Sequence, residues 1–227
     1  MVIEQVAFFH HGQTPHLSQA ALLVRSVKRF HPKLPVVQVS SKETPDVIGC
    51  DKRLTLHDCS RFTLMVDNIR AQKLVMDATG KTTLFVDTDV LVNRPLADAW
   101  PKGDWSVGVT WRPPNEPHEK AMPYNYGVMV LRPTSGTAKF LGAMQESIEN
   151  MPRGDQSWYG NQKALARILG DPRLPYQEAM GVMFHLAPCG THNRTPASPY
   201  EDLPHVYLLH FKGQRKGWME VFNARCA

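Results

Sequence analysis

The stretch Thr82–Val90, TTLFVDTDV, decides how this chain is read. Its β-branched and aromatic residues predict a strand, and the run closes on two carboxylates, Asp87 and Asp89, one residue apart. Carboxylates seldom end a buried apolar run unless something holds them there. Side chains at i and i+2 of a strand share a face, so both carboxylates are expected to share a face or to converge where the strand ends. Two such groups hold a hard divalent cation through oxygen, and the cation can bridge to a phosphate. Asp-x-Asp alone is a weak motif, because either residue can simply cap the turn that follows.

Working outward, strands alternate with helices. VIEQVAFF (2–9) predicts a first strand and PVVQVS (35–40) a second, with the helix LSQAALLVRSVKRF (17–30) between them. KRLTLHD (52–58) reads as a third strand. FTLMVDNIRAQKLVMDA (62–78) reads as a helix that stops at Gly80. This alternation predicts an α/β fold with a mostly parallel central sheet. In such folds ligands bind beyond the carboxyl ends of the strands, where Asp87 and Asp89 stand.

The second half is less regular. WSVGVT (105–110) and YGVMVLRP (126–133) read as strands, joined by a Pro-rich polar loop, WRPPNEPHEKAMP. SGTAKFLGAMQESIEN and DQSWYGNQKALARIL read as helices, the second with Asp155 as its N-cap. PRLPYQEAMGVMF and HVYLLHF supply short strands. No repeat or linker divides the 227 residues, so one domain is expected, with a nucleotide-binding half (1–100) and an acceptor or catalytic half (101–227).

Composition narrows the class. Hydrophobic residues at 42% and charged residues at 21% predict a packed core rather than disorder. No segment approaches about 18 consecutive apolar residues, and the start lacks a basic signal-peptide region. A cytoplasmic protein without a membrane anchor is therefore expected. The four cysteines lack Cys-x-x-Cys spacing and read as reduced thiols. The net charge of +5 suits a polyanionic partner such as a nucleotide diphosphate, nucleic acid or a membrane surface.

Several blocks together resemble the GT-A glycosyltransferases, in particular glycosyltransferase family 8, the glycogenin-like and lipopolysaccharide-galactosyltransferase-like enzymes. FVDTDVLVNRPL resembles the Asp-x-Asp core of that fold. YNYGVMVLRP resembles its later strand, usually Asn-Ser-Gly before an apolar run. GDQSWYGNQKAL resembles its Asp-Gln helix start. HFKGQRK fits His-x-x-Gly-x-x-Lys, and DNIRAQKL is similar to an Asp-x-x-Arg-x-x-x-Leu helix. The blocks run in the family's order from about residue 67 to 216.

The resemblance implies a metal-dependent enzyme that moves a sugar from a nucleotide-diphosphate sugar to an acceptor hydroxyl with retention of configuration. Asp87, Asp89 and His210 would ligate the metal, Mn²⁺ in preference to Mg²⁺ because nitrogen favours the softer ion. Asp87, Arg70, Gly213 and Lys216 would bind the donor nucleotide, Gly213 by close backbone approach and Lys216 as a point charge. Asn125 and Gly127 would line the acceptor or sugar side, and Asp155 and Gln156 would touch the transferred sugar at the catalytic centre. Arg70 also stands three residues after Asp67, a spacing that makes a helix-surface ion pair. Trp158 reads as core or rim, with Trp111 the better candidate for a sugar platform.

The sequence departs from the family at two places. The first strand ends FFHHG, without the carboxylate that contacts uracil, which leaves the base open; a UDP-sugar stays the expected donor, and His10, His11 or the main chain would then read the base. Tyr126 stands where a small residue is usual. The acceptor is left open among a glycan, a protein side chain, a small molecule and a modified DNA base. An inactive nucleotide-sugar-binding homologue is the alternative of another class. A nucleotidyltransferase and a Rossmann dehydrogenase are disfavoured, since no Gly-rich loop follows the first strand.

Overall fold

The computed structural model describes residues 2–12, 16–114 and 122–225. Its elements run β1 (Gln5–His10), α1 (His16–Phe30), β2 (Val36–Ser40), β3 (Lys52–Thr55), α2 (Leu64–Thr79), β4 (Thr83–Val86), β5 (Val90–Val92), β6 (Val107–Trp111) and β7 (Tyr124–Leu131). There follow α3 (Ser135–Glu149), α4 (Arg153–Ser157), α5 (Gly160–Leu169), β8 (Tyr176–Ala179), β9 (Val182–Pro188), α6 (Cys189–His192) and β10 (Leu208–His210). A 3₁₀ turn (Gly213–Trp218) and α7 (Met219–Arg225) complete the described chain.

Eight strands form one sheet in the order β3-β2-β1-β4-β7-β6-β9-β8. Four of its seven neighbour pairs are parallel and three antiparallel, so the expected mostly parallel α/β sheet is present. β4 and β7 are buried at every position, which explains why they read as unbroken apolar runs rather than alternating ones. Helix α1 packs with Phe8, Leu84 and Val128 on one face of the sheet. On the other face Ile69 of α2, Phe140 and Met144 of α3, and Leu165 of α5 close over Met129 and Phe184. Gly80 ends α2 in the left-handed conformation, φ 58°, with its N–H on the Met76 carbonyl, as the sequence signalled.

Two predicted elements are divided. TTLFVDTDV is not one strand: β4 stops at Val86 and β5 begins at Val90, with Asp87, Thr88 and Asp89 in a turn closed by Val90 N–H on the Asp87 carbonyl at 3.2 Å. The turn, not strand alternation, therefore aims the two carboxylates. The predicted helix from Asp155 is also broken, into α4 and α5, at Trp158 and Tyr159. Tyr159 adopts φ 63°, and Gly160 follows because a Cβ there would lie 2.3 Å from the Asp155 carbonyl oxygen. Asp155 lies inside the first turn of α4 and is not the N-cap of either helix. The Pro-rich loop expected after Trp111 falls partly on 115–121, outside the described residues.

Two pairings carry chemistry to one place. β4 runs antiparallel to β7, with Val86 opposite Val128, and Asp87 N–H bonds the Gly127 carbonyl at 2.9 Å. The small sheet β10-β5 sets His210 opposite Val90, and Phe211 N–H bonds the Asp89 carbonyl at 2.9 Å. Two sequence blocks, one 40 and the other 122 residues further along the chain, are thus locked against the same turn, one on each side.

Candidate active site

A cavity of about 500 Å³ opens at the carboxyl ends of β1, β4 and β10. A larger, shallower depression of about 620 Å³ lies at the opposite, amino ends, between Glu4, Phe30–Pro35 and Lys81. The first is the candidate site: ligands of open α/β sheets bind at carboxyl ends, and Asp87, Asp89 and His210 cluster there.

Asp87, Asp89 and His210 form its centre. Their ligand atoms all lie within 4.8 Å of one another. His210 Nε2 is 3.1 Å from Asp89 Oδ1 and 3.7 Å from Asp87 Oδ2, and Lys216 Nζ reaches Asp89 Oδ2 at 2.9 Å. Burial works to raise the Asp89 carboxyl, but His210 and the Lys216 ammonium overcome it and hold the group well below the usual carboxylate range. Asp87 is raised instead, by burial and then by the neighbouring Asp89, although His210, Lys212 and Lys216 oppose the shift.

A buried hydrogen-bond chain fixes which nitrogen of His210 faces the carboxylates. Thr110 Oγ1 donates its one proton to the Asn125 carbonyl at 2.8 Å. It must therefore accept from Asn193 Nδ2, also at 2.8 Å, which turns Asn193 Oδ1 towards His210 Nδ1, again at 2.8 Å. An amide oxygen only accepts, so Nδ1 carries a proton. Nε2 then either donates to Asp89 or, as a lone pair beside two carboxylates, shares a cation with them. Two oxygen ligands and one oriented imidazole nitrogen fit a divalent transition ion such as Mn²⁺.

Gly127 makes this approach sterically possible. A Cβ at that position would sit 2.4 Å from His210 Cε1 and 2.7 Å from Asp87 Oδ2. Asn125 Oδ1 accepts from the Gly127 N–H at 3.1 Å and lines the cavity. Tyr126 does not crowd the site: its ring is buried and its hydroxyl donates to Gln72 of α2 at 2.8 Å. Gly213, φ 57°, and Lys216 line the cavity beyond β10.

Three sequence-predicted residues are not brought here. Arg70 bonds Asp67 Oδ1 at 2.7 Å and the His57 carbonyl at 2.9 Å, tying α2 to the preceding loop, so the helix-surface ion pair is its observed role. Asp155 pairs with Lys163 at 2.5 Å. Gln156 donates to the carbonyls of Glu149 and Met151. None of the three lines the cavity: Arg70 is held on α2 by Asp67, and Asp155 and Gln156 lie on α4, before the break at Trp158–Tyr159.

Asn161 and Gln162, at the start of α5, take that place. Gln162 Oε1 accepts from Arg112 Nη2 at 2.9 Å, which leaves its amide N–H groups to donate. The signal was in the sequence: a second polar-Gln pair follows Gly160, six residues after Asp155-Gln156. Trp158 and Tyr159, 60% and 43% exposed, also line the cavity, so Trp158 is not a core residue.

At the β1 end the walls are Phe9, His10, His11 and His16 from one side and Leu64, Met65 and Asn68 of α2 from the other. Burial, with His16 and His11 adding to it, lowers His10 to about 4. Neither His10 Nε2 nor His11 Nδ1 has a hydrogen-bond partner among the described residues. Phe9 and His11 stack with ring centroids 6.5 Å apart.

Residues 57–214 match the sequence profile of the nucleotide-diphospho-sugar transferases. The chain belongs to that family. It is a glycosyltransferase, and solved glycosyltransferase structures share its GT-A fold. One similar structure is a glycosyltransferase involved in the glycosylation of the major capsid of PBCV-1: 12% identity, 97% of this chain and 99% of that one, TM-score 0.62. Another is the apo form of GlyE from Streptococcus pneumoniae TIGR4: 15% identity, 99% of this chain and 62% of that one, TM-score 0.60. A third is the galactosyltransferase LgtC in complex with donor and acceptor sugar analogues: 14% identity, 97% and 96% covered, TM-score 0.57. No curated protein matches the chain by sequence. Among the described residues no helix of this transferase is long and apolar enough to cross a membrane.

Proposed function

We propose that this transferase is metal-dependent and moves a hexose from a nucleotide-diphosphate sugar to an acceptor hydroxyl with retention of configuration. The observation that carries the proposal is the convergence of Asp87, Asp89 and His210, with Lys216 beside them, at one end of a cavity of nucleotide-sugar size. Residues 1–100 are assigned to the nucleotide and residues 101–227 to the sugar and acceptor, since β1, α2 and the aspartate turn build one wall and α5 and β10 the other.

Asp87, Asp89 and His210 would hold Mn²⁺ or Mg²⁺, which supplies Lewis-acid stabilisation of the charge growing on the leaving diphosphate. Lys216 adds preorganised positive potential at the same place, and Gly213 lets the backbone approach the phosphates. The β1 end takes the base. Uracil is our assignment, read by His10 and His11 in place of a carboxylate: an imidazole with an unpartnered nitrogen can serve the imide or carbonyl edge. Asn125 and Gly127 are assigned to the sugar side.

Retention is supported by the family 8 resemblance, and the cavity bears on how it is achieved. Among the described lining residues the only carboxylates are Asp87 and Asp89, both engaged with His210 or Lys216. With Asp155 turned away, no free carboxylate is placed as a covalent nucleophile. Gln162, an amide donor held by Arg112, is assigned to the reacting sugar, which favours same-face attack over a glycosyl-enzyme intermediate.

The test is nucleotide release from UDP-glucose, UDP-galactose and GDP-mannose, with and without Mn²⁺. Metal-dependent release from one donor supports the proposal. Equal release in excess chelator would contradict the metal's part in it.

A further inference from the structure

The cavity holds a second lysine that neither the metal centre nor the diphosphate assignment uses. Lys212 follows His210 by two residues in the extended chain leaving β10, so its side chain leaves on the same side as the imidazole. It lines the cavity and is half-buried. Lys216 is engaged by Asp89 at 2.9 Å, whereas the Lys212 ammonium forms no hydrogen bond or ion pair with any described residue. Partial burial of an ammonium that no carboxylate contacts directly is costly, and an anion arriving with the substrate lowers that cost.

Position tells which part of the substrate brings the anion. The charged groups near Lys212 are Arg112, which follows the carboxyl end of β6, and the carboxylates of Asp87 and Asp89 in the same cavity. Arg112 is the residue that holds Gln162. Lys212 thus lies between the metal carboxylates and the Gln162 wall, away from the base end formed by β1 and α2. On this wall Trp158 and Tyr159 expose their rings to the cavity, edge to face at 5.5 Å, the kind of amphipathic surface on which a sugar ring rests. We propose that Lys212 receives a carboxylate or phosphate carried on a sugar, either the transferred sugar or the acceptor. This rests on the transferase site described above and names the charge class of its sugar substrate.

Calorimetry tests it with matched pairs in saturating Mn²⁺. UDP-glucose against UDP-glucuronate reads the donor. The p-nitrophenyl β-D-glucoside against the β-D-glucuronide, added to enzyme preloaded with UDP, reads the acceptor. The expected result is that one pair favours its anionic member by about tenfold or more, the usual scale of one charge-assisted hydrogen bond. Which pair does so identifies the carrier. Lys212→Met should bring that ratio close to one, and Lys212→Arg should keep it. Thermal melts show whether each variant is folded, with Lys212→Gln as a second neutral variant.

Three results overturn the inference: neither pair shows a preference, the preference survives Lys212→Met, or Lys212→Met weakens UDP itself as much as the anionic ligand. The last would make Lys212 a diphosphate contact. A wild-type protein that binds no nucleotide diphosphate overturns the site reading beneath, and is told apart by that.

Discussion

Asn193 lies outside the proposed metal triad, yet the orientation of His210 depends on it. Its amide accepts from His210 Nδ1 and donates to Thr110 Oγ1, and it is 2% exposed. Asn193→Leu keeps the volume and removes both bonds. His210 then loses the acceptor that fixes its tautomer and ring angle, and Thr110 loses a donor. Removing a hydrogen-bond partner of a metal-ligating histidine costs about 10- to 100-fold in metal affinity. Stability should fall by about 1–3 kcal/mol for the buried polar groups left unpaired. Titrating Mn²⁺ into wild type and variant, followed by calorimetry or by the loss of the free-ion electron paramagnetic resonance signal, reads the first effect. A urea melt reads the second. A variant that loses stability but binds Mn²⁺ as tightly as wild type would refute the reasoning, because Asn193 would then be a core residue and nothing more.

Other expectations follow from single contacts. Gly127→Ala should abolish metal-dependent nucleotide binding, measured by calorimetry, because its Cβ would displace His210 or Asp87; overpacking should cost about 1–3 kcal/mol in a melt. Gln162→Ala should lower kcat in the transfer assay by more than tenfold, whereas Asp155→Ala, which removes a part-exposed ion pair, should change kcat little and stability by less than about 1 kcal/mol. His185 is lowered to about 4, first by burial and then by His192, so the unfolded chain binds the extra proton between pH 6.5 and 4. Its stabilising contribution is therefore complete above pH 6.5 and is lost on acidification through that window, by about 3 kcal/mol. His185→Phe should remove about 1.4 kcal/mol per pH unit from the slope of unfolding free energy there.

The fold was legible where burial and propensity agree. The apolar runs that became β4 and β7 are buried on both faces, and Gly80 stops α2 by a backbone requirement that only the local sequence sets. The residues of the Asp87, Asp89 and His210 cluster were legible too, as Asp-x-Asp and His-x-x-Gly-x-x-Lys, because both motifs are short and local. What failed was whatever depends on a break in an element. DQSWYGNQKALARIL has helical composition throughout, and the left-handed turn at Tyr159, followed by a Gly160 whose position leaves no room for a Cβ, divides it. That division exchanges Asp155-Gln156 for Asn161-Gln162 at the cavity. Arg70 satisfied two patterns at once, and the nearer partner, Asp67, holds it. Asn193 was not legible at all, since nothing local marks a residue whose partners are 17 and 83 positions away.

The central claim is that Asp87, Asp89 and His210 hold a divalent ion that carries the nucleotide diphosphate. The most direct measurement is a calorimetric titration of UDP into the wild-type protein and Asp89→Ala, each in Mn²⁺ and in excess EDTA. The account predicts binding by the wild type in Mn²⁺ and at least a hundredfold weaker binding in the other three conditions, on the scale expected for losing a metal ligand or the metal itself. Equal UDP affinity with and without Mn²⁺, or in the wild type and Asp89→Ala, would contradict it.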